Sequence, residues 1–166
     1  MHKTVVLYLA AVRTMLPKAF EKNKVLDVGS LNINWTNRRH LENCDYIGID
    51  LVEWLNVDVV WDICTYDPWY KFWLILCTEM LEHCRDWRLA LSHMYNLLKK
   101  WWLLVCTCAN IARREHWTKE RWPTDSPATN DYYRNLDSQD ILSVLPNAVI
   151  EEDEKREDLR FYIIKR

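Results

Sequence analysis

Two acidic residues in the first third of the chain have the types and spacing of a ligand-binding pair. Asp27 lies in the apolar run that leads to Gly29 and Ser30, and Asp50 ends the run Tyr46-Ile47-Gly48-Ile49. Brief apolar runs bounded by turn residues are typical of buried parallel strands. An acid that ends the second strand of such a unit can accept hydrogen bonds from ribose hydroxyls, and glycine lets a ligand approach the backbone. The spacing therefore predicts a nucleotide-type site.

A second cluster, Glu79-Met80-Leu81-Glu82-His83, follows an apolar run. On a helix, residues three apart share a face, so Glu79 and Glu82 could converge beside His83. Two carboxylates and an imidazole suit Mg²⁺, Mn²⁺ or Zn²⁺. We favour the alternative, in which these residues cap a helix and pack beside the ligand without a metal. His116 is a further candidate ligand or base, although a histidine in such a segment is more often simply exposed.

Residues 109–135 form a long polar segment with little periodicity. Long loops inside a compact domain are usually functional. Asp131 and Tyr132 lie within residues 129–134, which combine hydrogen-bond donors, acceptors and two aromatic rings. We interpret this stretch as a lid or acceptor-binding segment. The equally weighted alternative is a turn whose tyrosines pack on the sheet.

The elements that must position these residues alternate between strand and helix patterns. Strands are predicted at 25–28, 46–49, 57–60, 72–77, 103–108, 149–150 and 159–164, and helices at 4–15, 34–41, 80–83, 87–99 and 137–145. Alternation followed by a closing hairpin predicts an α/β fold, a three-layer sandwich around a mostly parallel sheet. We expect one domain over residues 1–166, with an N-terminal helix within residues 1–20.

Charge and cysteine usage narrow the function classes. The formal net charge of −2 gives no basic excess for binding nucleic acid or an anionic membrane. Six scattered cysteines favour reduced thiols and a cytoplasmic location. Cys106 and Cys108 should lie on one face of a strand as core residues. No apolar run is long enough for a membrane span, and a monomer or homodimer is expected.

Glycine and tryptophan usage is unusual. The chain has two glycines and ten tryptophans, whereas ordinary chains contain about 7% glycine. Trp101-Trp102 stand between a predicted helix and a strand, where a residue with positive φ, usually glycine, is expected. We interpret the chain as derived from a glycine-bearing parent.

Taken together, the motifs resemble the class I S-adenosylmethionine-dependent methyltransferases of the small type called methyltransferase type 11. The matching segments are Val25–Ser30, Tyr46–Asp50, Asp62-Ile63, Phe72–His83 and Leu103–Thr107. The resemblance implies a Rossmann-like fold with seven strands, the last antiparallel, S-adenosyl-L-methionine as cofactor, and a small-molecule or glycan-type acceptor. The implied cofactor-binding residues are Asp27, Gly29, Ser30, Asp50, Leu51, Asp62, Ile63, Cys77, Thr78 and Glu79. The candidate catalytic residues are His83, Asp131 and Tyr132.

The chain departs from the family pattern where tryptophan replaces small or polar residues. Trp35 stands in the expected glycine-rich loop, where an indole could fill the space of the cofactor's amino-acid tail. Trp73 and the pair Trp101-Trp102 are further departures. These motivate an alternative, a catalytically inactive methyltransferase-like interaction module. A third hypothesis, a nicotinamide-dependent oxidoreductase, shares Asp50 but lacks a full G-x-G-x-x-G motif.

Overall fold

In the computed structural model, seven strands form one sheet. The structure describes residues 3–32, 36–116, 118 and 131–166. The strands are β1 (Lys24–Val28), β2 (Asp45–Asp50), β3 (Val59–Val60), β4 (Phe72–Thr78), β5 (Leu98–Ala109), β6 (Val149–Glu152) and β7 (Asp158–Ile164). Their spatial order is β3-β2-β1-β4-β5-β7-β6.

The sheet is mostly parallel. The pairs β1–β2, β1–β4, β2–β3 and β4–β5 are parallel. Strand β7 is antiparallel to both β5 and β6. The predicted mostly parallel sheet with a final antiparallel strand is confirmed. Strand order reverses between β1 and β4, and ligands of open α/β sheets bind beyond the carboxyl ends of the strands at such a switch point.

Helices cover both faces of the sheet because successive strand residues point to opposite sides. Helix α1 (Lys3–Met15) packs against one face, in a cluster that includes Val25 and Leu76. Helices α2 (Trp87–Leu97) and α3 (Ser138–Val144) pack on the other face, in a cluster that includes Leu26. This gives the three predicted layers.

The first crossover differs from the predicted helix over 34–41. A 3-10 turn, Asn37–His40, is present, with the Thr36 side chain accepting a hydrogen bond from the Arg38 backbone N–H. Glu42 then forms a β-bridge with Glu21. Thr36 and Leu41, on either side of the turn, have extended backbone, so the turn does not continue into a longer helix. Residues 34 and 35 of the predicted helix lie outside the described ranges.

Two further helical segments are shorter than predicted. The helix predicted over 87–99 ends at Leu97, since Leu98 adopts extended backbone and pairs with Phe72 in the sheet. Only Leu81–His83 of the predicted 80–83 helix is helical, as a 3-10 turn. Early pairing into β5 therefore shortens α2.

The described ranges test the predictions of reduced cysteines, of buried Cys106 and Cys108, and of no membrane-spanning helix. All six cysteines are unpaired thiols, and Cys77, Cys106 and Cys108 are buried. Cys106 and Cys108 belong to the same core cluster, as predicted for one face of a strand. None of the helices in these ranges combines the length and apolarity needed to cross a membrane.

Candidate active site at the switch point

A tight turn after β1 brings backbone close to the switch point. Gly29 has φ of +76°, a conformation that side chains rarely adopt, and a Cβ there would lie 2.7 Å from the Met80 Cβ. Gly48 is equally constrained, because a Cβ would lie 2.2 Å from the Asn56 carbonyl oxygen. The hydroxyl of Ser30 is buried and has no hydrogen-bond partner within the described part of the chain. The turn thus presents an unsatisfied polar group beside the carboxyl end of β1.

Asp27 is held by side chains of the protein itself. It is 1% exposed. One carboxylate oxygen accepts from Asn37 Nδ2 at 2.8 Å, and the other accepts from the Tyr46 hydroxyl at 2.6 Å. The same Asn37 amide donates to Thr78 Oγ1 at 3.1 Å. Burial raises the pKa of Asp27 to about 6, although both hydrogen bonds oppose the shift.

Asp50 lies at the end of β2 and retains capacity to accept hydrogen bonds. One of its oxygens accepts from the Leu51 backbone N–H at 2.7 Å, and the other lies 3.4 Å from the Leu31 N–H. Each carboxylate oxygen has two lone pairs, so further donors can bind. Burial raises the pKa of Asp50, and these backbone N–H groups partly offset that effect. The side chain of Leu51 is 48% exposed.

The next predicted pair, Asp62 and Ile63, follows β3. Asp62 is exposed and accepts from the Cys64 backbone N–H at 2.8 Å. Ile63 is buried in the core, so its backbone is the part available to a ligand. The Asp62 side chain therefore lies at the surface, and the Ile63 side chain packs in the core beside it.

The end of β4 supplies Cys77, Thr78 and Glu79, all buried. Glu79 has φ of +56°. Its side chain accepts from Thr107 Oγ1 at 2.9 Å and lies 3.8 Å from the Arg113 guanidinium. Arg113 also forms an ion pair with Asp158. Glu79 is therefore anchored to β5 and to the segment after it.

Glu82 and His83 lie close to His116. The sequence indicated His116 only as a further candidate ligand or base. The ligand-capable atoms of the three residues all lie within 4.8 Å of one another. Burial raises the pKa of Glu82 well above its usual range, and nearby Glu79 adds to the shift. Burial lowers the pKa of His83 to about 3, with a contribution from His116, so the His83 imidazole is neutral at pH 7. Glu79, which the sequence grouped with Glu82 and His83 in the metal option that we did not favour, is instead paired with Thr107 and Arg113.

The segment after the undescribed residues folds back over this cluster. The Arg134 backbone N–H donates to the Glu82 carbonyl at 2.8 Å. Tyr133 packs its ring edge-on against His83 and His116, at centroid distances of 5.3 and 5.0 Å. Tyr132 lies under the Arg85 guanidinium at 4.9 Å, and Asp131 is exposed with φ of +62°. Residues 131–134 therefore border the site, whereas residues 129 and 130 of the predicted lid lie outside the described residues.

The tryptophans of the described ranges occupy different environments. Trp54, Trp61 and Trp69 are exposed. Trp73 packs against Trp102 at the other end of β4. The prediction that Trp35 fills part of the cofactor site falls on a residue outside the described ranges.

Several residues that shape the site carried no separate signal in the sequence. Asn37, Tyr46 and Tyr133 lie in segments that were identified only as a helix, a strand and a loop. A polar residue on a predicted buried strand, as at Tyr46, is the kind of signal that could have indicated a partner for Asp27.

A protein-family profile described as "Methyltransferase domain" matches residues 2–142. The chain belongs to this methyltransferase family, and the resemblance predicted from the sequence is confirmed at that level. No curated protein sequence matches the chain.

Solved structures of methyltransferases share the fold. An S-adenosylmethionine-dependent methyltransferase from Clostridium acetobutylicum aligns with a TM-score of 0.67 and 12% identity, covering 95% of this chain and 90% of that one. The 1,6-didemethyltoxoflavin-N1-methyltransferase of Burkholderia thailandensis, solved with S-adenosylhomocysteine, gives a TM-score of 0.63 and 15% identity over 93% and 74%. The N-methyltransferase NodS from Bradyrhizobium japonicum gives 0.56 and 15% over 92% and 93%. At these identities the similarity establishes the fold.

Proposed function

We propose that this chain transfers the methyl group of S-adenosylmethionine to a small-molecule or glycan-type acceptor. Membership of the methyltransferase family supports the reaction class. The observation that carries the proposal is the position of Asp50 at the carboxyl end of β2, beside the switch point, with lone pairs still available.

The residues at this rim fit an adenosyl ligand. Asp50 would accept from the ribose hydroxyls, because an ionised carboxylate only accepts. The buried, unpartnered Ser30 hydroxyl and the Gly29 turn suit the polar methionine part. The remaining proposed contacts are Leu51, Asp62 and Ile63 around the adenosine and Cys77, Thr78 and Glu79 beneath the sulfur. In this arrangement Asp27 positions Asn37 and Tyr46 and contributes to the shape of the site.

When bound, S-adenosylmethionine supplies a methyl group already activated by a cationic sulfur. The chain therefore mainly has to orient the acceptor and exclude water. His83 is proposed as the base for an acceptor that must lose a proton, since its imidazole is neutral at pH 7, although the burial that lowers its pKa also makes it a weaker base than an ordinary histidine. Asp131 and Tyr132 border the same region and are proposed to contact the acceptor.

The test is calorimetric titration of the full chain with S-adenosylmethionine and S-adenosylhomocysteine. We expect saturable binding, weakened by about 1–3 kcal/mol in Asp50→Ala because the ligand hydroxyls lose their acceptor. Asp45→Ala is the matched control, since Asp45 begins the same strand at its opposite end and is exposed. Equal affinity in the wild type and Asp50→Ala would remove Asp50 from the site.

The same titration, repeated with the variant Trp35→Gly and with NADH, distinguishes the alternative functions. Absence of heat with both ligands, together with no thermal stabilisation, would favour the inactive interaction module. Recovery of binding in Trp35→Gly would then indicate an enzyme scaffold blocked by an indole. Tight, saturable NADH binding would favour the oxidoreductase. A cytoplasmic location, a single domain over 1–166 and a monomeric or homodimeric state stay predictions.

A further inference from the structure

Three side chains with metal-ligating atoms converge beside the end of β4. Glu82 and His83 are adjacent in the 3-10 turn Leu81–His83, and His116 enters from the segment after β5. One ligand atom from each lies within 4.8 Å of the others. The two imidazole rings are nearly perpendicular, at 89°, with centroids 5.3 Å apart. The arrangement brings together residues 33 positions apart in the chain, which local sequence patterns do not impose.

The turn that carries two of these residues is fixed in place. Its backbone is closed by the His83 N–H donating to the Met80 carbonyl at 2.9 Å. Leu81 is fully buried and anchors the turn in the core. The Arg134 N–H holds the Glu82 carbonyl from the other side. A site on a rigid turn keeps its ligands in position before the ion arrives.

Glu82 gives the most direct sign that a ligand is missing from the cluster. Its side chain is 0% exposed. Oε1 accepts from the Ala109 backbone N–H at 3.2 Å, but Oε2 has no hydrogen-bond partner within the described ranges. Leaving a buried polar group unsatisfied is destabilising. The positive charge of Arg113 acts on Glu82, but its guanidinium forms ion pairs with Glu79 and Asp158.

His116 has the outer contact expected of a metal ligand. Its Nδ1 lies 3.1 Å from the Arg114 carbonyl oxygen. A carbonyl can only accept, so Nδ1 carries the proton and Nε2 keeps its lone pair. Ligating histidines almost always donate their second N–H in this way, which fixes the tautomer and the ring orientation.

We propose that Glu82, His83 and His116 form a binding site for one divalent transition-metal ion, with Zn²⁺ as the best match. Two imidazoles and one carboxylate are a ligand set of catalytic zinc sites, which keep a further position open. Ligand atoms around one tetrahedral Zn²⁺ lie about 3.4 Å apart. Closing the 4.8 Å cluster therefore needs side-chain movements of about 1 Å.

The open position gives the ion a role at the acceptor side of the site. An oxygen or nitrogen atom of the acceptor could occupy it, and the metal would lower the pKa of that group. His83 would then serve as a ligand and not as a base. This role rests on the proposed methyltransferase function, whereas binding of the ion does not.

The experiment is titration of chelator-treated full chain with ZnCl₂, followed by calorimetry, in the absence of S-adenosylmethionine. We expect one Zn²⁺ per chain, and about tenfold or greater weakening in Glu82→Gln and in His116→Asn. His93→Asn is the matched control, because His93 lies on α2 and contacts the Tyr66 carbonyl. Circular dichroism of each variant checks that it is folded.

Cobalt substitution provides a second readout on the wild-type chain. Bound Co²⁺ should give ligand-field bands without thiolate charge-transfer bands, since no cysteine belongs to the cluster. No saturable Zn²⁺ binding, binding unaffected by both ligand variants, thiolate bands with Co²⁺, or preference for Mg²⁺ over Zn²⁺ would each overturn the proposal. Zn²⁺ binding without S-adenosylmethionine binding would sustain the metal site and reject only its proposed role in methyl transfer.

Discussion

Two buried carboxylates at the same end of the sheet differ in how their oxygens are satisfied. Asp27 on β1 has both oxygens engaged, by Asn37 and by Tyr46. Glu82 after β4 has one oxygen on a backbone N–H and the other without a partner in the described part of the chain. The first carboxylate is completed by side chains of the fold, whereas the second keeps one oxygen for the metal ion that we propose. Burial alone therefore does not distinguish a positioning acid from a ligand-binding acid.

The largest expected effect concerns pH and Asp27. Its pKa in the folded protein is about 6, against an ordinary value of 3.8. The folded state therefore holds this proton more tightly, and the associated stability is complete below pH 4 and lost as the pH rises to 6. The difference corresponds to about 3 kcal/mol. We expect the free energy of unfolding of wild type relative to Asp27→Asn to fall by about this amount between pH 4 and 7.

Urea denaturation at several pH values measures this difference. Other titrating groups are present in both chains and cancel in the comparison. Glu154→Gln, which changes an exposed acid, is the control. A wild-type-minus-variant difference that stays constant across this range would show that Asp27 is not held by the buried network described here.

A pair of tyrosine substitutions sharpens the same contrast. The Tyr46 hydroxyl donates to Asp27 and accepts from Asn56 Nδ2, both at 2.6 Å. Tyr46→Phe should lower the free energy of unfolding by about 1–3 kcal/mol, because the buried Asp27 oxygen loses its donor, whereas Asn56 Nδ2 still donates to the Ser30 carbonyl. The Tyr133 hydroxyl, beside His83 and His116, has no partner within the described ranges. Tyr133→Phe should change stability by less than about 0.5 kcal/mol in metal-free buffer.

Chemical denaturation of both variants, at one pH and with a chelator present, tests the pair. Equal losses would mean that the cluster around Glu82 is as well satisfied as the network around Asp27. That result would remove the contrast between the two regions.

The one stabilising change that we expect is small, lies at the opposite end of the sheet and serves as a reference for both regions. Trp101 has φ of +70° and is 70% exposed. This backbone costs a side-chain-bearing residue about 1–2 kcal/mol, and glycine recovers it at an entropic cost of about 0.5–1 kcal/mol. Trp101→Gly should therefore raise the free energy of unfolding by about 0.5–1 kcal/mol.

Thermal and urea denaturation measure this change. The control is Trp69→Gly, since Trp69 is 95% exposed and is not among the residues with positive φ. Stabilisation by both substitutions, or by neither, would argue against backbone strain as the cause. Stabilisation at Trp101 alone would support the interpretation that tryptophan stands there in place of glycine.

The strand elements could be predicted because their signals are local. Apolar runs such as 72–77 and 103–108 fall within the observed β4 and β5, and the order of motifs indicated the family. Of the predicted helix over 34–41, the described residues form only the 3-10 turn Asn37–His40, after which the chain enters a β-bridge between Glu21 and Glu42. Such a bridge joins residues 21 positions apart, and no local pattern reports it.

The sequence by itself determined the alternation of strands and helices, the acid at the end of β2 and the methyltransferase resemblance, since each depends on neighbouring residues. Only the tertiary structure decided which polar groups meet. It engaged Asp27 with Asn37 and Tyr46, and it placed His116 beside Glu82 and His83. The physical reason is that hydrogen bonding and metal ligation depend on distances between side chains, which the packing of separate elements sets.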